Sequence, residues 1–367
     1  MKKGLKNIFI VFLMFWAFDT QGQQFPISSH YTVNPYSLNP AFAGASNRSE
    51  FFMNYRRDWS SIPGSPQTYR INGNRRVYKN MYLGGELLGD QADIFYRLKA
   101  GLSFTYRLQI AHEQYLSFGL AGHLYQSLIR IDQTNADLDD PILRNLDRLL
   151  NTSYNTAFGL VYNRNKLFLG FGMPIMMRTK EAYLSSYESV FTFERAFDFY
   201  AGNKFDIDNR WEFQPSFVLR KTLNQPLVAD FSGLFIYEKQ LWLGVLYRST
   251  VLFGLTAGAS LQNGMLINYT YEVGAGGIHN RSGGTHEITL GIRKPESDAR
   301  YNKSRTKRKD SSPSYQSKTP STGKSTVRQN ETREKQRVSK TKTKKQKVDR
   351  NRRSPSKMPK YAPYEKF

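Results

Sequence analysis

Apolar and polar residues alternate one for one along at least twelve stretches of this chain, and turn signals join nearly all of them. From Leu98 to Leu108, the residues Leu98, Ala100, Leu102, Phe104, Tyr106 and Leu108 fall on one side of a strand. Lys99, Gly101, Ser103, Thr105 and Arg107 fall on the other. The chain can only build sheets with one greasy and one wet face. A soluble sandwich satisfies that pattern, with the greasy faces turned inward. Large aromatics on the greasy face, behind an export signal, favour the other solution: an all-β transmembrane barrel with lipid outside and a polar lumen inside.

The export signal is Lys2, Lys3 and Lys6 followed by an apolar run from Ile8 to Phe18. That run is shorter than the roughly 20 residues a membrane helix needs. Thr20 and Gly22 suit a cleavage site after Gly22, so residues 1–22 read as a signal peptide. No other stretch is long and apolar enough to be a membrane helix. A membrane protein of this sequence must therefore be a closed barrel, which satisfies every backbone group in lipid. The absence of cysteine fits, since a closed ladder needs no disulfide.

The net charge of +23 is unevenly placed. Residues 299–367 hold 23 Lys and Arg against 5 Asp and Glu, whereas residues 23–298 hold 27 against 24. The chain divides into a nearly neutral body and a basic tail. The tail, 294–367, has almost no aliphatic residues. It cannot offset its chain entropy by burial, so disorder is expected.

Residues 23–47 are rich in Pro, Asn and Ser and read as an irregular periplasmic segment. Strands are expected within 48–293, near 48–57, 67–77, 80–89, 95–109, 113–130, 152–163, 166–175, 193–207, 210–222, 226–238, 240–249, 251–262, 265–275 and 284–293. These fourteen are an even number, as in bacterial single-chain barrels. Tight turns at Arg164-Asn165, Asp208-Asn209, Lys239 and Asn263-Gly264 all follow even-numbered strands. Longer connections near 58–66, 131–151, 176–192 and 276–283 follow odd-numbered ones. Short turns mark the periplasmic side of such barrels, so this parity places both termini in the periplasm. In the 131–151 connection, Asp140-Pro141 resembles a helix start. Ile142, Leu143, Leu146, Leu149 and Leu150 then recur at helical spacing, which predicts a short amphipathic helix that covers the mouth or offers its apolar face to a partner.

No pattern for chemistry emerges. Asp137, Asp139 and Asp140 fail the calcium-loop spacing, because Pro141 stands at the fifth position and no Gly follows. Gly274-Ala275-Gly276-Gly277 precedes no helix that could cradle a phosphate. His30, His112, His123, His279 and His286 show no metal spacing. His123 is expected in the lumen and His286 outside. Lumenal charges include Arg107, Arg220, Arg248, Glu212, Glu272 and Lys204, which could pair across the bore or line a wet pore. No catalytic site, cofactor or metal is expected. Basic runs at Lys307, Arg308 and Lys309, at Lys344 and Lys345, and at Arg352 and Arg353 suit either an acidic partner or a solvated spacer kept soluble by its charge. An exported chain meets peptidoglycan, headgroups and acidic proteins rather than nucleic acid.

Several blocks in residues 23–75 carry a resemblance: Tyr31; Asn39-Pro40-Ala41-Phe42-Ala43-Gly44; Tyr55-Arg56 and Trp59; Pro66; and Thr68-Tyr69. Their order and spacing resemble the start of the PorP/SprF family, outer-membrane proteins of the type IX secretion system of Bacteroidetes. The family pattern Arg-Asn-Gln-Trp is here Arg56-Arg57-Asp58-Trp59. Leu83-Gly84 and Ser117-Phe118-Gly119-Leu120 fit further along, and the basic tail has no counterpart. The resemblance implies a non-enzymatic accessory protein that helps a secreted adhesin or other cargo stay at the cell surface, in gliding species for motility. It implies that Asn39, Pro40, Ala41, Gly44, Arg56, Trp59 and Tyr69 contact partners: cargo outside, and secretion machinery or peptidoglycan on the periplasmic side. The alternative is a channel for small solutes in the same barrel.

Overall fold

The computed structural model describes residues 27–130, 148–181, 191–275 and 282–295. Fourteen strands form the wall: β1 (Arg48–Arg57), β2 (Gln67–Tyr78), β3 (Met81–Ala92), β4 (Phe95–Ala111), β5 (Gln114–Arg130), β6 (Arg148–Arg164), β7 (Leu167–Ile175), β8 (Ala196–Gly202), β9 (Trp211–Thr222), β10 (Leu227–Tyr237), β11 (Leu241–Arg248), β12 (Leu252–Ser260), β13 (Met265–Gly274) and β14 (Thr285–Pro295). Each pairs antiparallel with its sequence neighbours. β1 pairs β14 from Arg48↔Pro295 to Arg57↔His286, which closes the barrel. Closure removes both free edges, so every wall strand has two ladder partners.

The alternation resolves into two faces. On β4, Ser103, Thr105 and Arg107 are buried, while Leu102 is 77% exposed on the membrane face. His123 lines the inside beside Glu86 and Lys99. His286 faces outward, hydrogen-bonded to the Tyr269 hydroxyl at 2.7 Å. Aromatic pairs brace the outside, among them Tyr55–Tyr69 and Trp211–Tyr237, with ring centres 5.0 and 4.9 Å apart.

Two local departures have physical causes. β8 stops at Gly202, and a short stretch, Phe205–Asp206, resumes the pairing with β9. The residue opposite the break is Pro215, which can accept from the Asn203 N–H but has no N–H to return. The helix expected near 142–150 is corrected at its end. Leu149 and Leu150 belong to β6, paired with Ile129 and Leu128 of β5. β5 runs on to Arg130, and a ladder partner outweighs weak helical spacing. The rest of that proposed helix, with Asp137, Asp139 and Asp140, lies outside the described residues. So do residues 1–26, most of the 276–283 connection, and the tail from residue 296.

The connections after even-numbered strands are two to four residues long, except 203–210, where Phe205–Asp206 continues the ladder. Those after odd-numbered strands include 58–66, 131–147, 176–195 and 275–284. The barrel thus has a tight-turn end and a long-loop end. In the 176–195 connection, a small hairpin pairs Thr179–Glu181 with Phe191–Phe193. Glu181 and Phe193 are fully buried, and Glu181 accepts from Ser127 on the inner face of β5. The hairpin therefore folds inward over the bore.

Candidate functional site

The segment before β1 fills the lumen. The sequence suggested a separate periplasmic segment at 23–47. Instead, Ser28–Asn47 winds through the barrel as three single 3-10 turns: His30–Thr32, Pro35–Ser37 and Pro40–Phe42. Tyr31, Ala41, Phe42 and Ala43 are at most 2% exposed. Its contacts reach right round the wall. His30 bonds Thr270 of β13 and Thr289 of β14. Asn34 bonds Asn72 of β2, and Tyr36 bonds Ser103 of β4. Phe42 packs on Phe168 of β7 and edge-on to Tyr200 of β8. A chain that touches opposite walls of a closed barrel must lie inside it. The reason is chemical: a lumen lined with Ser, Thr, Asn and ions offers a polar Asn/Ser/Pro-rich strap partners for its irregular backbone.

The Asn39–Gly44 motif is the strap's seat. The Asn39 side chain accepts from the Ala41 N–H and donates to the Phe171 carbonyl, both at 2.8 Å. The Pro40 carbonyl accepts from Thr105. Two inner-face glycines make room. A Cβ on Gly159 would fall 1.7 Å from Asn39 Oδ1, and one on Gly119 would fall 2.4 Å from the Ala41 nitrogen. Gly44 takes φ +76°, and its carbonyl accepts from Arg107 at 2.7 Å. Burial pushes the Tyr36 hydroxyl up to about 12, with the Ser103 hydrogen bond opposing, so it stays protonated.

The other end of the strap is held by buried charge. Arg56, near the end of β1, reaches Asp58, Glu272 and Glu287 at 2.7–2.9 Å. The same two glutamates take the strap: Ser28 and the Ser29 N–H donate to Glu287, and the Ser29 hydroxyl donates to Glu272. Asn54 also donates to Glu287, at 2.8 Å. Beside them Arg248 forks onto Asp230 at 2.8 and 3.0 Å. Burial holds His30 below its ordinary 6.5, against the opposing pull of Glu287 and Glu272. It is therefore neutral, with Thr270 and Thr289 on its two ring nitrogens. Each carboxylate is paired and hydrogen-bonded, which is what burial of charge requires.

The strap has a direction. Glu272, Glu287, Arg56 and Arg248 all stand at the long-loop end of their strands, whereas Gly44 meets Tyr82 and Arg107 near the tight turns. Ile27 is therefore at the opposite end of the barrel from Pro295. Placing the amino-terminal segment on the same side as the end of β14 is corrected at this residue. Above the strap, a vestibule of about 480 Å³ opens at the long-loop end, lined by Ile27, Arg56, Asp58, Trp59, Asp90 and Tyr96, among others. Its rim is rigid. Trp59 sits at φ +50°, and Ser60 and Ser61 bond back to Gly284 and Ser282 across the β13–β14 connection.

The residues singled out from the sequence thus separate. Asn39, Pro40, Ala41 and Gly44 seat the strap in the lumen; Arg56 anchors its start; Trp59 lines the vestibule. Tyr69 is 52% exposed on the membrane face, stacked on Tyr55. Sequence reasoning missed Ser28, Ser29, His30, Glu287, Gly119 and Gly159. The available signal was an acidic residue, Glu287, and two glycines, Gly119 and Gly159, on wet faces of the wall.

No group of acidic and histidine side chains suited to a metal occurs among the described residues. No curated protein sequence matches the chain. Solved structures with similar folds include the CymD monoaromatic hydrocarbon channel, at TM-score 0.44 and 10% identity over 74% of this chain and 94% of that one. The Ralstonia pickettii toluene transporter TbuX aligns at TM-score 0.43 and 9% identity, over 75% and 95%. Residues 20–292 match the family model of the type IX secretion system membrane protein PorP/SprF, and the chain belongs to that family.

Proposed function

We propose that this barrel is a non-catalytic accessory of type IX secretion that docks a secreted adhesin or other cargo at its long-loop end, facing outward. In a gliding organism the cargo would serve motility. The observation that carries this reading is the strap. A lumen occupied by its own chain from Ser28 to Asn47 suits a scaffold better than a conduit, while the long-loop end keeps a preformed vestibule. In the same reading the basic tail leaves β14 on the periplasmic side, where its Lys/Arg runs at 307–309, 344–345 and 352–353 meet peptidoglycan or an acidic face of the secretion machinery. The test is a deletion strain complemented with wild type or Trp59→Ala, scored for cargo on cells against cargo in the medium. Docking predicts cargo shed into the medium by Trp59→Ala at unchanged barrel level. Cargo loss that only tracks barrel loss would assign Trp59 to folding.

A further inference from the structure

The membrane face is not uniformly ridged. Across six strands one ladder row reads Phe51, Gly73, Gly85, Leu102, Gly122 and Thr156, each paired with the next. The neighbouring row on the long-loop side reads Ile71, Leu87, Ala100, Leu124 and Tyr154, bulky except at Ala100. The row on the tight-turn side carries Leu83, Phe104 and Leu120. The result is an apolar groove of about 1310 Å³ in the barrel wall. Leu102 stands in it at 77% exposed, because glycines flank it on both neighbouring strands.

One end of the groove is charged. Arg75 pairs with Leu83 and Lys294 with Ser49, and both cations line the groove. Glu50↔Asn74 is the adjoining pair of β1 and β2, so Ser49 lies between the two cations. Neither has a carboxylate partner among the described residues. The row also climbs. Phe51, Gly73 and Gly85 are three, five and four residues from the tight-turn ends of β1, β2 and β3, whereas Leu102, Gly122 and Thr156 are nine, eight and eight from those of β4, β5 and β6. The cations therefore sit at the tight-turn rim, and the groove rises from them into the membrane. Five inter-strand steps of ~4.8 Å make it about 24 Å long. Perpendicular to strands tilted by about 35–45°, it gains roughly 15 Å of depth, about one leaflet of a ~30 Å hydrocarbon core.

We propose that this groove holds one phospholipid of the tight-turn leaflet, with an anionic headgroup on Arg75 and Lys294 and one acyl chain laid over Gly85, Leu102 and Gly122. A chain there covers the bare flanks of Leu102, and the headgroup supplies the negative charge that the two cations lack among the described residues. The proposal does not depend on the docking role above.

The groove can be filled without disturbing the wall. A Cβ at Gly122 meets nothing within 4 Å, and one at Gly85 meets only ordinary contacts at 3.7 and 3.8 Å. The experiment is native mass spectrometry of the full-length barrel, delipidated in detergent and titrated with dioleoylphosphatidylglycerol or dioleoylphosphatidylcholine. Wild type should retain one phosphatidylglycerol, at least tenfold tighter than phosphatidylcholine. Gly122→Leu and Gly85→Leu should weaken both lipids at least tenfold. The double variant Arg75→Gln/Lys294→Gln should erase the headgroup preference and keep the weaker, chain-driven binding. Heat-modifiable mobility on gels confirms that each variant is folded. Equal binding of the two lipids by wild type, or undiminished binding by folded Gly122→Leu, would overturn the proposal. So would displacement of phosphatidylglycerol by an equal concentration of lipopolysaccharide in the same titration.

Discussion

Arg56→Ala should release the start of the strap. Arg56 is the cation that balances Glu272 and Glu287, whose side chains are fully buried, and its own side chain is 5% exposed. Removing one partner from such a cluster costs about 3–5 kcal/mol, because uncompensated charge stays behind. The wall can relieve that cost by letting water reach the carboxylates, and Ser28 and Ser29 are what cover them. The undocked fraction should then rise by roughly a hundred- to several-thousand-fold. The chain has no cysteine, so a single Val33→Cys reports on the strap cleanly. Val33 is 6% exposed and packs on Phe52 and Leu266. Maleimide labelling of Val33→Cys in the purified barrel should accelerate steeply in the Arg56→Ala background. Arg56→Lys, which keeps the charge and loses the fork, should fall between. A labelling rate that Arg56→Ala leaves unchanged would refute the claim that this ion cluster holds the strap.

Other consequences can be measured with the same tools. His30 is neutral when docked, with its pKa held below 6.5, whereas an undocked His30 takes a proton near 6.5. Docking stability is then complete above about pH 6.5 and lost as pH falls below it. Maleimide attacks the thiolate, so the rate is read as a ratio to that of the denatured protein at the same pH. This ratio for Val33→Cys should rise by up to about tenfold per pH unit there, and a ratio flat from pH 5 to 8 would count against the assignment. Gly119→Ala puts a Cβ against the Ala41 nitrogen and the Pro40 carbonyl carbon at 2.4 and 2.7 Å, both backbone atoms that cannot rotate away. It should cost about 1–3 kcal/mol of strap docking while the barrel still shifts mobility on boiling; wild-type labelling of Val33→Cys in that background would show that the seat yields freely. The tail, with 23 basic residues against 5 acidic ones in 299–367, should co-sediment with peptidoglycan at low salt. It should release as the screening length falls from about 10 Å at 0.1 M to about 3 Å at 1 M; binding indifferent to salt would exclude an electrostatic tether.

The wall was legible in the sequence because its physics is local. A period of two assigns every strand residue to lipid or lumen, and turn chemistry sets the parity of the connections. The strap was not legible, because its stability is borrowed. Ser28–Asn47 has no periodicity, and each 3-10 turn is only three residues long. What holds it are partners more than 200 positions away, such as Glu272 and Glu287. The Asn39–Gly44 motif was visible as a block of the family resemblance, but its purpose depends on Gly119 and Gly159, whose missing side chains mean nothing until the wall curves round them. Alternation places Arg56 inward at the long-loop end of β1, yet only closure of β1 on β14 brings it against Glu287 and Glu272 to anchor the chain.

Single-channel recording of the purified full-length barrel in planar bilayers tests the central claim most directly. The strap accounts for a lumen that is occupied rather than open, so wild type should stay at baseline, and deletion of residues 28–46 should produce steady ohmic steps. Stable ohmic conductance from wild type, unchanged by that deletion, would contradict an occluded lumen and return the barrel to the class of solute channels.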